Sequence, residues 1–109
     1  MLNRNTRMKS LRLSDNCIGA TGGLQIARAM EVHPSMTTLH VAWNGIGVGG
    51  LGQGAGAFAK MVANNRCLSI LNLCDNGLLP SGIVAIAGAL ADNINSSLTN
   101  VNLSINDVT

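Results

Sequence analysis

The sequence predicts an α/β solenoid, in which a short strand and a helix alternate in a stack of similar units that share one core. Three observations predict it. A nine-residue pattern with an invariant asparagine recurs four times, at intervals of 28, 32 and 30 residues. The first part of each unit alternates apolar and polar residues with a period of two, as a strand with one buried face does. The second part carries apolar residues at helical spacing.

The strand motif reads LxxLxLxxN. It runs from Met8 to Asn16, from Met36 to Asn44, from Leu68 to Asn76 and from Leu98 to Asn106. All twelve L positions are apolar and all four terminal positions are asparagine. The chain must turn after so short a strand, and the backbone groups in that turn have no ladder partner. A carboxamide offers two donors and an acceptor, so it can serve its own coil and the next one. Asn16, Asn44, Asn76 and Asn106 are therefore read as a structural asparagine ladder.

The helical half repeats as well. Ile18, Gly22, Ile26, Ala27 and Met30 follow Asn16 at the offsets at which Leu78, Gly82, Ile86, Ala87 and Leu90 follow Asn76. In the middle unit Ile46 keeps its offset. Gly54, Phe58, Ala59 and Val62 each arrive four residues late, which places a four-residue insertion within Gly47–Gly54. The third unit carries two extra residues near Asn93–Ser97. Small residues at Ala27, Ala59 and Ala87 would allow close helix packing.

These residues resemble the ribonuclease-inhibitor class of leucine-rich repeat, whose unit is long and carries a full α-helix. The resemblance covers essentially the whole chain. It implies a horseshoe with a parallel sheet on the concave side and helices on the convex side. Residues 1–109 are read as one domain, with 8–35, 36–67 and 68–97 as complete repeats. Residues 1–7 read as the tail of a preceding repeat and 98–109 as a partial fourth. Neither end carries the polar cap that a solenoid needs, so a longer repeat array is expected.

Composition excludes several classes. Apolar residues make up 47% and charged residues 11%, against an ordinary charged share of about 25%; this is no disordered tail. The longest uncharged stretch, Val32–Ala59, is interrupted by His33, Pro34, His40, Asn44 and seven glycines between Gly45 and Gly56. A membrane span needs about 20 mainly apolar residues in succession, so none is expected. The first residues lack the apolar run of a signal peptide. Cys17, Cys67 and Cys74 are odd in number and form no CxxC pair, which fits reduced thiols in a cytoplasmic protein. Arg4, Arg7, Lys9 and Arg12 gather at one end and read as a solvated face.

Catalytic chemistry has little to stand on. No HExxH or paired-carboxylate motif occurs, and the cysteines and histidines lack metal-ligand spacing. The segment Gly45–Gly50 matches GxGxxG, but its first half is the repeat's own Asn-x-Ile-Gly, and the next acidic residue is Asp75. The dinucleotide reading fails on that context. The stretch Gly49–Gly56 is instead expected to form a flexible bulge before the second helix. Asn95-Ser96-Ser97 and Asn102-Leu103-Ser104 match a glycosylation triplet that is not expected to be used. No cofactor, metal, small-molecule substrate or nucleic acid is expected.

The resemblance points to binding through the concave face. In the motif the third, fifth, seventh and eighth positions point out of the core. The fifth row is Arg12, His40, Asn72 and Asn102; the seventh is Ser14, Ala42, Cys74 and Ser104; the eighth is Asp15, Trp43, Asp75 and Ile105. The candidate protein-binding set is Arg12, Ser14, Asp15, His40, Trp43, Asn72, Asp75 and Asn102. Trp43, the sole tryptophan, is either an interface anchor or a cover for the glycine-rich insertion. Arg12 and Asp15 could form a surface ion pair, which contributes little. The expected function is a non-catalytic protein-binding or scaffold module, engaged through the concave face or docked as part of a larger complex. The alternatives are an activator of a small GTPase, the sensing arm of a receptor, and a purely structural spacer.

Overall fold

A computed structural model describes residues 7–47, 53–93, 97–104 and 106. Strand and helix alternate throughout: β1 (Ser10–Arg12), α1 (Gly19–Glu31), β2 (Thr38–His40), α2 (Gln53–Asn64), β3 (Ile70–Asn72), α3 (Leu79–Asp92) and β4 (Asn100–Asn102). The strands form one parallel sheet in chain order, β1-β2-β3-β4. Motif positions pair with each other across it, as in Leu11 with Leu39, Leu39 with Leu71, and Leu71 with Val101. The helices pack in the same order, α1 on α2 and α2 on α3. Each coil thus touches only its neighbours, as in a solenoid.

The core lies between the sheet and the helices. Met36, Leu39, Val41, Leu71 and Leu73 have no exposed surface, and neither do Phe58 and Ile86 on the helices. The matching residues of the outer coils, Met8, Leu11, Leu13, Leu98, Val101 and Leu103, are half-buried. The residue types are the same. What differs is that the inner coils are flanked on both sides and the outer ones on one.

Helices α1 and α3 begin without a local cap. Ile18 and Leu78 occupy the N-cap positions of α1 and α3 and make no side-chain capping bond. The first amides of a helix still need acceptors, and here the next coil supplies them. The Gly19 amide donates to the Asn44 carbonyl (2.7 Å) and the Leu79 amide to the Asn106 carbonyl (2.6 Å). One step earlier, the Ile18 and Leu78 amides donate to the Oδ1 atoms of Asn44 (3.4 Å) and Asn106 (3.2 Å).

The turn between strand and helix uses left-handed backbone in the first three coils. Gly45 (φ 63°) and Gly77 (φ 65°) follow their ladder asparagines, but the first coil has Cys17 there, at φ 54°. Cys17 is exposed, so its side chain contributes no packing to set against the strain. Cys17→Gly is therefore expected to raise stability by about 0.5–1 kcal/mol, seen as a higher urea midpoint at unchanged slope. A lowered midpoint would contradict it.

Two expectations are corrected. The glycine-rich stretch is not all loop: α2 begins at Gln53, so Gly54 and Gly56 are helical, and Gly54 is buried. Its Cα lies against Ile46, where a Cβ would collide with the carbonyl oxygen and come within 2.8 Å of Cγ2, so the glycine serves close approach rather than flexibility. Residues 49–52, and with them most of the four-residue insertion, lie outside the described residues. So do 1–6, most of the extra residues of the third unit, and Ile105. The second correction concerns Ala42, expected to point outward with the seventh row; it is buried.

Candidate functional site: the open face of the sheet and its rim

Two polar rows frame the sheet and fix where its exposed side chains stand. The first is formed by the asparagines that end the strands. Asn76, 1% exposed, accepts through Oδ1 from the amides of Asn44 (2.9 Å) and Ile46 (3.3 Å) in the preceding coil. Its Nδ2 donates to the carbonyls of Val41 (2.9 Å), Leu73 (3.0 Å) and Cys74 (3.3 Å). Asn44 and Asn106 repeat this arrangement one coil earlier and one later. Asn16 is exposed, and its Nδ2 donates to the Leu13 and Ser14 carbonyls.

The second row, at the other end of the strands, was not anticipated. Asn65 Oδ1 accepts from the amides of Cys67 (2.9 Å) and Leu68 (2.7 Å), and its Nδ2 donates to the Met30 carbonyl at the end of α1 (2.6 Å). Asn93 Nδ2 reaches Val62 and Asn65 carbonyls in the same manner. His33 stands in for asparagine in the first coil. Its Nδ1 accepts from the Ser35 (3.3 Å) and Met36 (3.1 Å) amides, while its buried Nε2 has no partner. Beside this row Ser35 and Ser97 hydroxyls and the Cys67 thiol each donate to a carbonyl of the preceding coil. That gives Cys67 a structural place equivalent to serine.

Between these rows the side chains of the open face are held in columns. His40 and Asn72 are half-buried, and Arg12 and Asn102 at the two ends are exposed. The Asn72 carboxamide meets His40 Nδ1 at 3.5 Å, and its Oδ1 accepts from the Cys74 amide at 3.0 Å. Asn102 Oδ1 likewise accepts from the Ser104 amide, and the Ser104 hydroxyl also contacts it. Ser14 Oγ accepts from the Ala42 amide at 3.1 Å. The columns thus present carboxamide, hydroxyl and imidazole groups, with Arg12 at one end.

The rim beyond the strands is different. Asp15, Trp43 and Asp75 are all exposed, Trp43 by 57%. All three take left-handed backbone, at φ 59°, 57° and 53°. Aspartate tolerates that region through local hydrogen bonding, but for a bulky side chain it costs roughly 1–2 kcal/mol. Trp43 and Asp75 wall a shallow depression whose floor is Gly45, Asn76 and Gly77.

The arrangement offers little to catalysis. Among the described residues no group of three or more His, Cys, Asp or Glu side chains could hold a metal. Among the described residues of the Gly45–Gly50 segment, the Ile46 and Gly47 amides are already engaged, both donating to Asn76.

A family model described as Leucine Rich repeat matches the chain three times, over residues 4–27, 32–52 and 64–87. The chain belongs to the leucine-rich repeat family. Each match spans one strand motif, and together they include the first three ladder asparagines. No curated protein matches the chain. Leucine-rich repeats are protein-interaction modules, typically without catalytic activity, and the open sheet described above is the concave face of this one. Among the described residues no helix is long and apolar enough to cross a membrane.

Proposed function

We propose that this leucine-rich repeat protein is a non-catalytic binding module whose concave face seats a partner protein within a larger complex. The observation that carries the reading is the division of labour across the sheet. The two polar rows and the backbone ladder satisfy the fold, while Arg12, Ser14, Asp15, His40, Trp43, Asn72, Asp75 and Asn102 are left at least partly exposed on one face and its rim. An exposed tryptophan at such a rim is the kind of residue that dominates interface energetics. Helices of 13, 12 and 14 residues in successive coils support the ribonuclease-inhibitor-like class, and three free cysteines support a reducing, cytoplasmic setting.

A second reading, docking through the helices as a structural part, is favoured by the outer surface of α3, where Val84 is 70% exposed and Leu79 46%. The test is affinity capture from native cytosol, wild type against a Trp43→Ala/His40→Ala variant, read by mass spectrometry. The concave-face reading expects a small set of proteins that the variant loses. Identical capture by both would move the site to the helices.

A further inference from the structure

The rim carries a more specific message than the sheet. Backbone hydrogen bonds place its members in one row: the Asp15 amide donates to the Ala42 carbonyl (2.8 Å), Trp43 to Cys74 (3.0 Å) and Asp75 to Ser104 (3.0 Å). Neighbouring coils in a parallel sheet stand about 4.8 Å apart. Trp43 therefore stands between Asp15 and Asp75 in the row, each one coil away, and all three residues have left-handed backbone.

We propose that the Trp43–Asp75 half of this row is a receptor for an arginine side chain of the partner protein, an inference that rests on the concave-face reading. The depression is open to water, aromatic on one wall and anionic on the other. The rest of its lining is Gly45, Asn76 and Gly77, so among the described residues no further bulky side chain lines it. A guanidinium is flat, stacks on an aromatic face and presents N–H groups in its own plane to a carboxylate. It can therefore meet both walls at once. Lysine, a compact and strongly hydrated charge, can satisfy only one well.

Among the described residues the chain's own cations are placed elsewhere. Arg7, Lys9 and Arg66 precede the strands, at the opposite edge of the sheet from the rim, and Arg28 and Lys60 lie on α1 and α2. Arg12, in the column next to the rim, belongs to the coil of Asp15. The Asp75 side is the one left for a guest. Charge is polarised across the face, basic where the strands begin and acidic where they end, and that also orients an incoming partner.

The site can be read optically, because Trp43 is the sole tryptophan and there is no tyrosine. The probe is the capped peptide acetyl-Gly-Arg-Gly-amide, titrated while indole emission is followed. Its citrulline analogue, which has the same shape without the charge, and its lysine analogue are the controls. Saturable binding by the arginine peptide is expected, weaker binding by lysine and none by citrulline. Asp75→Asn should weaken the arginine peptide roughly 3- to 5-fold, the scale of a favourable exposed ion pair. Trp43→Ala should abolish the peptide-induced shifts of the Gly45 and Gly77 amide resonances, with circular dichroism showing the fold retained. An equal response to citrulline, or affinity unchanged in Asp75→Asn, overturns the assignment. If the arginine peptide does not bind while the Trp43/His40 variant still loses its captured partner, this inference falls and the concave-face reading stands. If the peptide binds as stated and capture is unaffected, the depression holds a guanidinium but not the partner's, and the inference falls together with the concave-face reading.

Discussion

Replacing Asn76 by alanine is expected to cost about 3–5 kcal/mol and to leave the chain largely unfolded at room temperature. The carboxamide oxygen is the acceptor for the buried Asn44 and Ile46 amides, while its Nδ2 shares the Val41 carbonyl with Asn44 and the Leu73 carbonyl with Asn106. Each buried group left unpaired costs about 1–3 kcal/mol. Relaxation and entering water recover part of that, which sets the expected total at the upper end of single-substitution effects. Asn16→Ala is the control. Asn16 is exposed and serves carbonyls of its own coil, so a loss under about 1 kcal/mol is expected. Urea unfolding of both variants checks the pair; equal losses would show that burial of the ladder does not set its energetic worth.

The second large effect lies in α2, where two glycines two residues apart should respond with opposite signs. In an ordinary helix Ala is preferred to Gly by about 1 kcal/mol. Gly56 is exposed, and a methyl group there would meet nothing within 4 Å, so Gly56→Ala should stabilise by about 0.5–1 kcal/mol. Gly54 has no such room. A methyl group would strike the Ile46 carbonyl, which is backbone and cannot swing aside. Gly54→Ala should therefore cost about 2–3 kcal/mol, the scale of overpacking in a closed core, despite the better helix former. Thermal melts followed by circular dichroism decide it, and a gain in both variants would mean that α2 slides freely over Ile46.

These two cases also mark what could be read in the sequence. The strands were legible because LxxLxLxxN ties apolar alternation to a turn residue whose chemistry the turn requires; four repetitions leave no other register. The start of α2 was not legible. Gly54 and Gly56 look like helix breakers, and only the approach to Ile46 in space shows that one of them is needed for packing. The row of His33, Asn65 and Asn93 escaped notice because its residue types differ and irregular turns shift its spacing. Helix capping escaped for a related reason: the caps of α1 and α3 stand in the next coil, 26 to 28 residues away along the chain. Among the candidate binding residues the sequence gives positions on a face, since the motif decides which side chains leave the core. It does not give their conformation, and the left-handed turn beneath Trp43 is visible only in the structure.

The parallel order of strands and helices also decides the shape of what can dock. Strands are tied at about 4.8 Å, whereas helices packed side by side stand about 8–10 Å apart. The same coils must satisfy both spacings, so the stack fans out and the sheet becomes the inside of an arc. Contact with Arg12 and Asn102 together then demands a bulging object, and a flat one meets only the margins. The glycines and alanines between the helices, Gly23 against Ile46 and Gly82 against Ala55 among them, pull the outer layer inward and open the arc. A gently rounded protein surface suits such a cradle better than a narrow peptide does.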